Sequence, residues 1–125
     1  MLTRGGLRAG ARTLAQRSQI PIDVTVEVQR LPATIEATAY FVIAEALTNV
    51  AKHADATRVT VLAHVVDGTL RVEIRDDGVG GAQLDGAGLR GLTDRLAALE
   101  GRLWLDSRPG EGTLVAAEIP LRDAG

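Results

Sequence analysis

Two hydrophobic periods alternate along this chain, and their order restricts the fold more than any single residue does. Ile22 to Val28 alternates strictly between apolar and polar residues, the period of a half-buried strand. Pro32 then opens a stretch rich in Ala, Leu and Glu, from Ala33 to about Lys52, that reads as a helix. Two more alternating runs follow, Arg58 to Val66 and Thr69 to Arg75, joined by the two-residue hairpin signal Asp67-Gly68. After a glycine-rich loop from Asp76 to Ala87, helical spacing returns: Leu89, Leu92, Leu96 and Leu99 share one side, and Gly101 stands where a C-terminal stop belongs. Arg102 to Asp106 reads as a strand, Ser107 to Gly112 as a turn, and Thr113 to Leu121 as a last strand. Strands and helices in this alternation give an α/β or α+β sandwich.

A chain of 125 residues suits one domain, and folding at this size removes roughly two-thirds of the unfolded surface from water. With 46% hydrophobic and 24% charged residues, disorder and fibrous repeats do not fit. No apolar run approaches the roughly 20 residues of a membrane span, and no secretory signal opens the chain. The absence of cysteine excludes a disulfide scaffold, a thiolate zinc site and a cysteine nucleophile, and fits a reducing cytoplasm. A net charge of −2 makes no global case for nucleic-acid binding. Residues 1–20 carry four Arg and no acid; Arg4, Arg8 and Arg12 repeat at i, i+4, with Leu7, Ala11 and Leu14 on another face. A short amphipathic helix with a solvated basic edge accounts for this pattern, the alternative being a phosphate or membrane contact.

Lys52 is the only Lys and Asn49 the only Asn. On an ideal helix Thr38, Glu45, Asn49 and Lys52 fall within a sector roughly 60° wide. Ile35, Ala39, Val42, Ile43, Ala46, Leu47 and Val50 fill the adjoining arc, which suits packing on a sheet. The polar stripe can be the wet face of the helix. It also groups a carboxylate and an amide oxygen at i, i+4, the hard donors that Mg²⁺ takes one or two at a time from a protein. Lys52 adds a point charge suited to phosphate, and His53 a donor beside it.

Glycine-rich segments follow. Asp76-Asp77-Gly78-Val79-Gly80 ends a strand with a carboxylate beside a loop that a ligand can approach closely. Gly86-Ala87-Gly88-Leu89-Arg90-Gly91 matches the dinucleotide pattern G-x-G-x-x-G, but its first Gly lies about ten residues beyond the preceding strand, so the context of that fingerprint fails. A glycine-rich approach to a helix N-terminus survives, and its free N–H groups favour phosphate. No P-loop motif is present.

In order, these segments resemble the boxes of the GHKL ATPase superfamily. Glu45 to His53 is similar to the N box, Asp76-Asp77-Gly78-Val79-Gly80 to the first glycine box, Gly88-Leu89-Arg90-Gly91-Leu92 to the second, and Gly110-Glu111-Gly112-Thr113 to the third. Within the superfamily the chain resembles sensor histidine kinases that partner NarL-type response regulators. Thr48-Asn49-Val50 followed by Lys52-His53-Ala54, the short lid Gly81 to Ala87, and the run Gly88 to Leu96 carry that likeness.

The resemblance implies a Bergerat-type two-layer α/β sandwich, a mixed sheet with helices on one face. Residues 21–125 would form the ATP-binding catalytic domain and residues 1–20 a helix and junction with an absent dimerisation domain. It implies ATP and Mg²⁺ as cofactors. Asn49 would bind the metal, Glu45 would sit by the phosphates, Lys52 and His53 would contact phosphate, and Glu45 and Lys52 would be the catalytic residues. Asp76 would accept the adenine amine, with Gly78 and Gly80 making room for the base. Gly88, Leu89, Arg90, Gly91 and Leu92 would line the phosphates, and Thr113 would support a water network at Asp76. Asp77, where the family often has Asn, is expected to face outward. The implied partners are the dimerisation domain with its phosphoacceptor His, a NarL-type response regulator and a second copy in a homodimer, with no direct nucleic-acid contact. The domain would be cytoplasmic, in a protein that sensors of this kind can anchor in the membrane. The alternatives are an anti-sigma-type serine kinase on the same fold and a non-catalytic ATP-binding module.

Overall fold

The computed structural model describes residues 6–79 and 89–121. Its elements are α1 (Gly6–Gln16), β1 (Ile22–Glu27), α2 (Ala33–Asn49), β2 (Val59–Val66), β3 (Thr69–Asp76), α3 (Leu89–Ala98), β4 (Arg102–Ser107) and β5 (Thr113–Pro120). The five strands form one sheet in the order β1-β2-β3-β5-β4. β1 and β2 run parallel, as a strand–helix–strand crossover through α2 requires, and the other pairs are antiparallel. The expected mixed α/β sheet is therefore present.

Period-2 alternation decides which face the helices cover. Val59, Val61 and Ala63 of β2, Leu70, Val72 and Ile74 of β3, and Val115, Ala117 and Ile119 of β5 are buried on one side. Against them pack Leu7 and Ala11 of α1, Ala39, Val42, Ile43 and Ala46 of α2, and Leu92 and Leu96 of α3, in one continuous core. The opposite face is polar: Arg71 of β3 lies 2.7 Å from Glu73 and 2.7 Å from Glu118, with its guanidinium 5.7 Å from the Trp104 ring centre.

Four details depart from the sequence reading. The long helix does not run regularly to Lys52: α2 ends at Asn49, and Val50–Ala54 forms a π-helical turn ending on Asp55 in the left-handed region. The wider turn breaks the 100° phasing, so Lys52 no longer belongs to the stripe that an ideal helix predicts. Within that stripe Thr38 is buried, and Glu45 and Asn49 are half-buried rather than wet. Arg8 is more than a solvated edge: its Nε and Nη2 donate to the Val26 carbonyl at 3.0 and 2.8 Å, satisfying the free edge of β1. Arg12 is exposed, and Arg4 lies outside the described residues. Finally, Glu100, not Gly101, takes the positive φ (60°) that ends α3. Gly101 is required one step later, where a Cβ would lie 2.6 Å from the Glu118 carbonyl.

Candidate functional site

β3 brings Asp76 to its last position, and alternation turns the side chain toward the helix layer with Leu70, Val72 and Ile74. Asp76 is buried, and its Oδ1 accepts the Gly78 N–H at 2.7 Å. Burial pushes its carboxyl above the usual Asp range, and the neighbouring Asp77 charge adds to this. The Gly78 and Thr113 N–H groups pull the other way. A carboxylate has about four acceptor positions, so Asp76 keeps capacity for a donor from a ligand.

The third glycine segment is built against this carboxylate. Thr113 pairs with Asp76 across the β3–β5 ladder, and the Gly110 N–H donates to the Val79 carbonyl at 2.6 Å. The Thr113 hydroxyl hydrogen-bonds the Ser107 hydroxyl at 2.6 Å, extending the row to β4. Ser107 went unnoticed in the sequence because its partner is set by strand register. A cavity of about 420 Å³ borders the same strand ends, lined by Asp76, Asp77 and Thr113 together with Arg75, Asp106, Arg108 and Glu111.

α2 packs over β3 and β5 and carries Glu45 and Asn49 in the helix layer, above the strands that hold Asp76 and Thr113. Among the described residues, Glu45, Asn49 and Lys52 make no side-chain hydrogen bond or ion pair. Two unpaired oxygen-bearing side chains one turn apart fit the donor set of a Mg²⁺ ion that keeps most of its coordination for water and phosphate. No cluster of three or more His, Cys, Asp or Glu with metal-binding arrangement occurs among the described residues. Lys52 and His53 lie on the π-helical turn, and Lys52 is exposed.

α3 begins at Leu89, so the backbone N–H groups of Leu89, Arg90 and Gly91 have no i−4 partner within the helix. Gly91 is exposed, whereas the Leu92 side chain belongs to the core. Gly80, Gly88 and the lid Gly81 to Ala87 lie outside the described residues. Phe41 and Arg95 join the two helices, the guanidinium standing 4.4 Å from the ring centre.

Asp77 is exposed, as expected, yet engaged. Its Oδ1 accepts the Thr57 and Arg58 N–H groups at 2.8 and 3.1 Å, and its Oδ2 accepts the Thr57 hydroxyl. These hydrogen bonds hold its carboxyl below the usual Asp range.

Residues 34–123 match the family described as Histidine kinase-, DNA gyrase B-, and HSP90-like ATPase. The chain is 34% identical over 100 residues to the oxygen sensor histidine kinase NreB of Staphylococcus carnosus, covering 76% of this chain and 29% of that protein. It is 34% identical over 104 residues to the signal transduction histidine-protein kinase/phosphatase UhpB of Salmonella typhimurium, covering 81% of this chain and 20% of that protein. The histidine kinase domain of the Erythrobacter litoralis EL346 blue-light activated histidine kinase is similar in structure, with a TM-score of 0.78 at 26% identity, covering 93% of this chain and 61% of that chain. The chain spans between 17% and 34% of the length of three of its curated relatives. Among the described residues, no helix is long and apolar enough to cross a membrane.

Proposed function

The chain belongs to the histidine kinase-, DNA gyrase B- and HSP90-like ATPase family, and from that premise we propose that it is the catalytic ATP-binding domain of a two-component sensor histidine kinase. The observation that carries this reading is the buried Asp76 carboxylate, turned toward the same helix layer as the unpaired Glu45 and Asn49. Asp76 accepts the adenine amine, and Gly78 and Gly80 leave room for the base. Glu45, Lys52 and His53 meet the phosphate end, with the backbone of Gly88, Leu89, Arg90, Gly91 and Leu92 around it. Thr113 supports the water network at Asp76. Asn49 would hold Mg²⁺, which supplies charge neutralisation across the ATP phosphates.

The phosphoryl acceptor is a His on a separate dimerisation domain, joined through residues 1–20. Its imidazole nitrogen attacks the γ-phosphorus in line, the bond to the β–γ bridging oxygen breaks, and ADP leaves. An Asp of a NarL-type response regulator then takes the phosphoryl group, and the whole sensor works as a homodimer. Neither His53, within the N box, nor His64, within β2, is assigned as that acceptor His.

The test is phosphotransfer with this chain. It should bind ATP and fail to label itself. A dimerisation domain carrying the acceptor His, added in trans, should become labelled weakly, because tethering normally supplies the effective concentration. The label should be acid-labile and base-stable, as a phosphoramidate is. Acid-stable label on a partner's serine would overturn the histidine-kinase reading in favour of a serine kinase.

A further inference from the structure

Asp77 makes contacts that the catalytic reading leaves unused. β2 and β3 pair from Val66↔Thr69 to Val59↔Asp76, and beyond that last pair the two chains part. One leads back through Asp55 to the π-helical turn with Lys52 and His53; the other leads on through Gly78 to the glycine loop. The Asp77 carboxylate closes this fork, taking all three of its hydrogen-bond donors from Thr57 and Arg58. Among the described residues no other hydrogen bond or ion pair joins 50–58 to 77–79. Arg58 continues outward to Asp23 of β1 at 2.9 Å, so the pinned segment is tied to the sheet on its other side as well. Val79 is meanwhile held by Gly110 from the opposite side.

We propose that Asp77 is a positioning residue that fixes the spacing between the base end and the phosphate end of the nucleotide site by clamping the fork between β2 and β3. This rests on the nucleotide-binding reading above. The base end, Asp76 and Gly78, is built by β3 and β5 without Asp77. The N-box tail is built by α2 and the π-helical turn, whose far end is joined to the start of the glycine loop, among the described residues, where Thr57 and Arg58 meet Asp77. A ligand touching one end does not depend on the clamp; a ligand spanning both does. Asn at this position can keep the geometry, because its Oδ1 accepts both N–H groups and the Thr57 hydroxyl can turn to accept from its amide.

NMR titration of this chain with Mg–ATP and with adenosine separates the two ends. In Asp77→Ala, adenosine affinity should be retained while ATP affinity falls several-fold. Asp77→Asn should restore the ratio, and Thr57→Val, which removes one of the three donors and leaves the carboxylate, should show a smaller selective loss. Thr57→Val carries the test alone if Asp77→Ala does not fold. A parallel loss for both ligands, in step with lowered thermal stability, would mean a purely structural role and overturn the proposal, as would an unchanged ATP-to-adenosine ratio. Wild-type protein binding neither ligand would overturn the nucleotide reading itself, and the positioning role with it.

Discussion

Gly112 approaches the Asp76 carbonyl so closely that a Cβ on residue 112 would lie 2.2 Å from that oxygen. Its φ of +77° adds a second demand for glycine. The third glycine segment is thus the wall against which the end of β3 is set, and the buried carboxylate of Asp76 is oriented from its own backbone outward.

Gly112→Ala should therefore damage both stability and binding. The left-handed conformation alone costs an L-residue roughly 1–2 kcal/mol, and relieving the clash must shift the strand end. We expect a loss of at least about 2 kcal/mol in urea unfolding, with ATP affinity reduced in protein that remains folded. Gly110→Ala, which meets positive φ without a clash, should cost less.

Asp76 should trade stability for recognition. Its folded carboxyl titrates above the usual range because it is buried, so its stabilising contribution is present at low pH and is lost as pH rises through that raised value. Asp76→Asn should be at least as stable as wild type at pH 7, with the difference shrinking as the wild-type carboxyl is protonated. The same variant should lose the preference for ATP over GTP, which an unpaired buried group, at about 1–3 kcal/mol, sets at several-fold or more in the wild type. Unfolding across pH together with calorimetric binding of both nucleotides checks the pair of outcomes.

Asp77 runs in the opposite direction. Its hydrogen bonds to Thr57 and Arg58 hold its carboxyl below the usual range, so they stabilise the fold at neutral pH and are lost as pH falls through the lowered value. The stability difference between wild type and Asp77→Ala should accordingly vanish in strong acid while persisting at pH 7, as read by denaturant midpoints.

Asn49 should matter through the metal. If Asn49 supplies a Mg²⁺ oxygen as proposed, replacing it with Ala removes one of very few protein donors. The affinity of a fluorescent ATP analogue should then lose its Mg²⁺ dependence, with circular dichroism unchanged. Metal-dependent affinity equal to wild type would remove Asn49 from that role.

Glu36 should be a stability residue. Its side chain is 2% exposed, and its Oε2 accepts the Leu31 N–H at 3.0 Å and the Arg30 Nε at 3.1 Å. Glu36→Ala strands the Leu31 donor at the start of α2 and should cost about 1–3 kcal/mol in urea unfolding, whereas Glu36→Gln keeps an acceptor and should cost less.

Much of this molecule was legible in one dimension because its determinants are local. Period-2 runs named the strands, Asp67-Gly68 named the hairpin, and the order of Glu45 to His53, Asp76 to Gly80 and Gly110 to Thr113 named the family, since each depends on spacing along the chain. The tertiary structure decided what those segments touch. Strand register brought Thr113 opposite Asp76 and Ser107, and β5 between β3 and β4 laid Gly110 on Val79. The fork after Val59 and Asp76 joined Asp77 to Thr57, twenty positions away. Packing buried Thr38 and Glu36, and the π-helical turn after Asn49 broke the phase that ideal helical spacing assigned to Lys52. These outcomes depend on contacts between residues far apart in sequence, whose free energy exists only once the sheet has closed and water has been excluded from the helix layer.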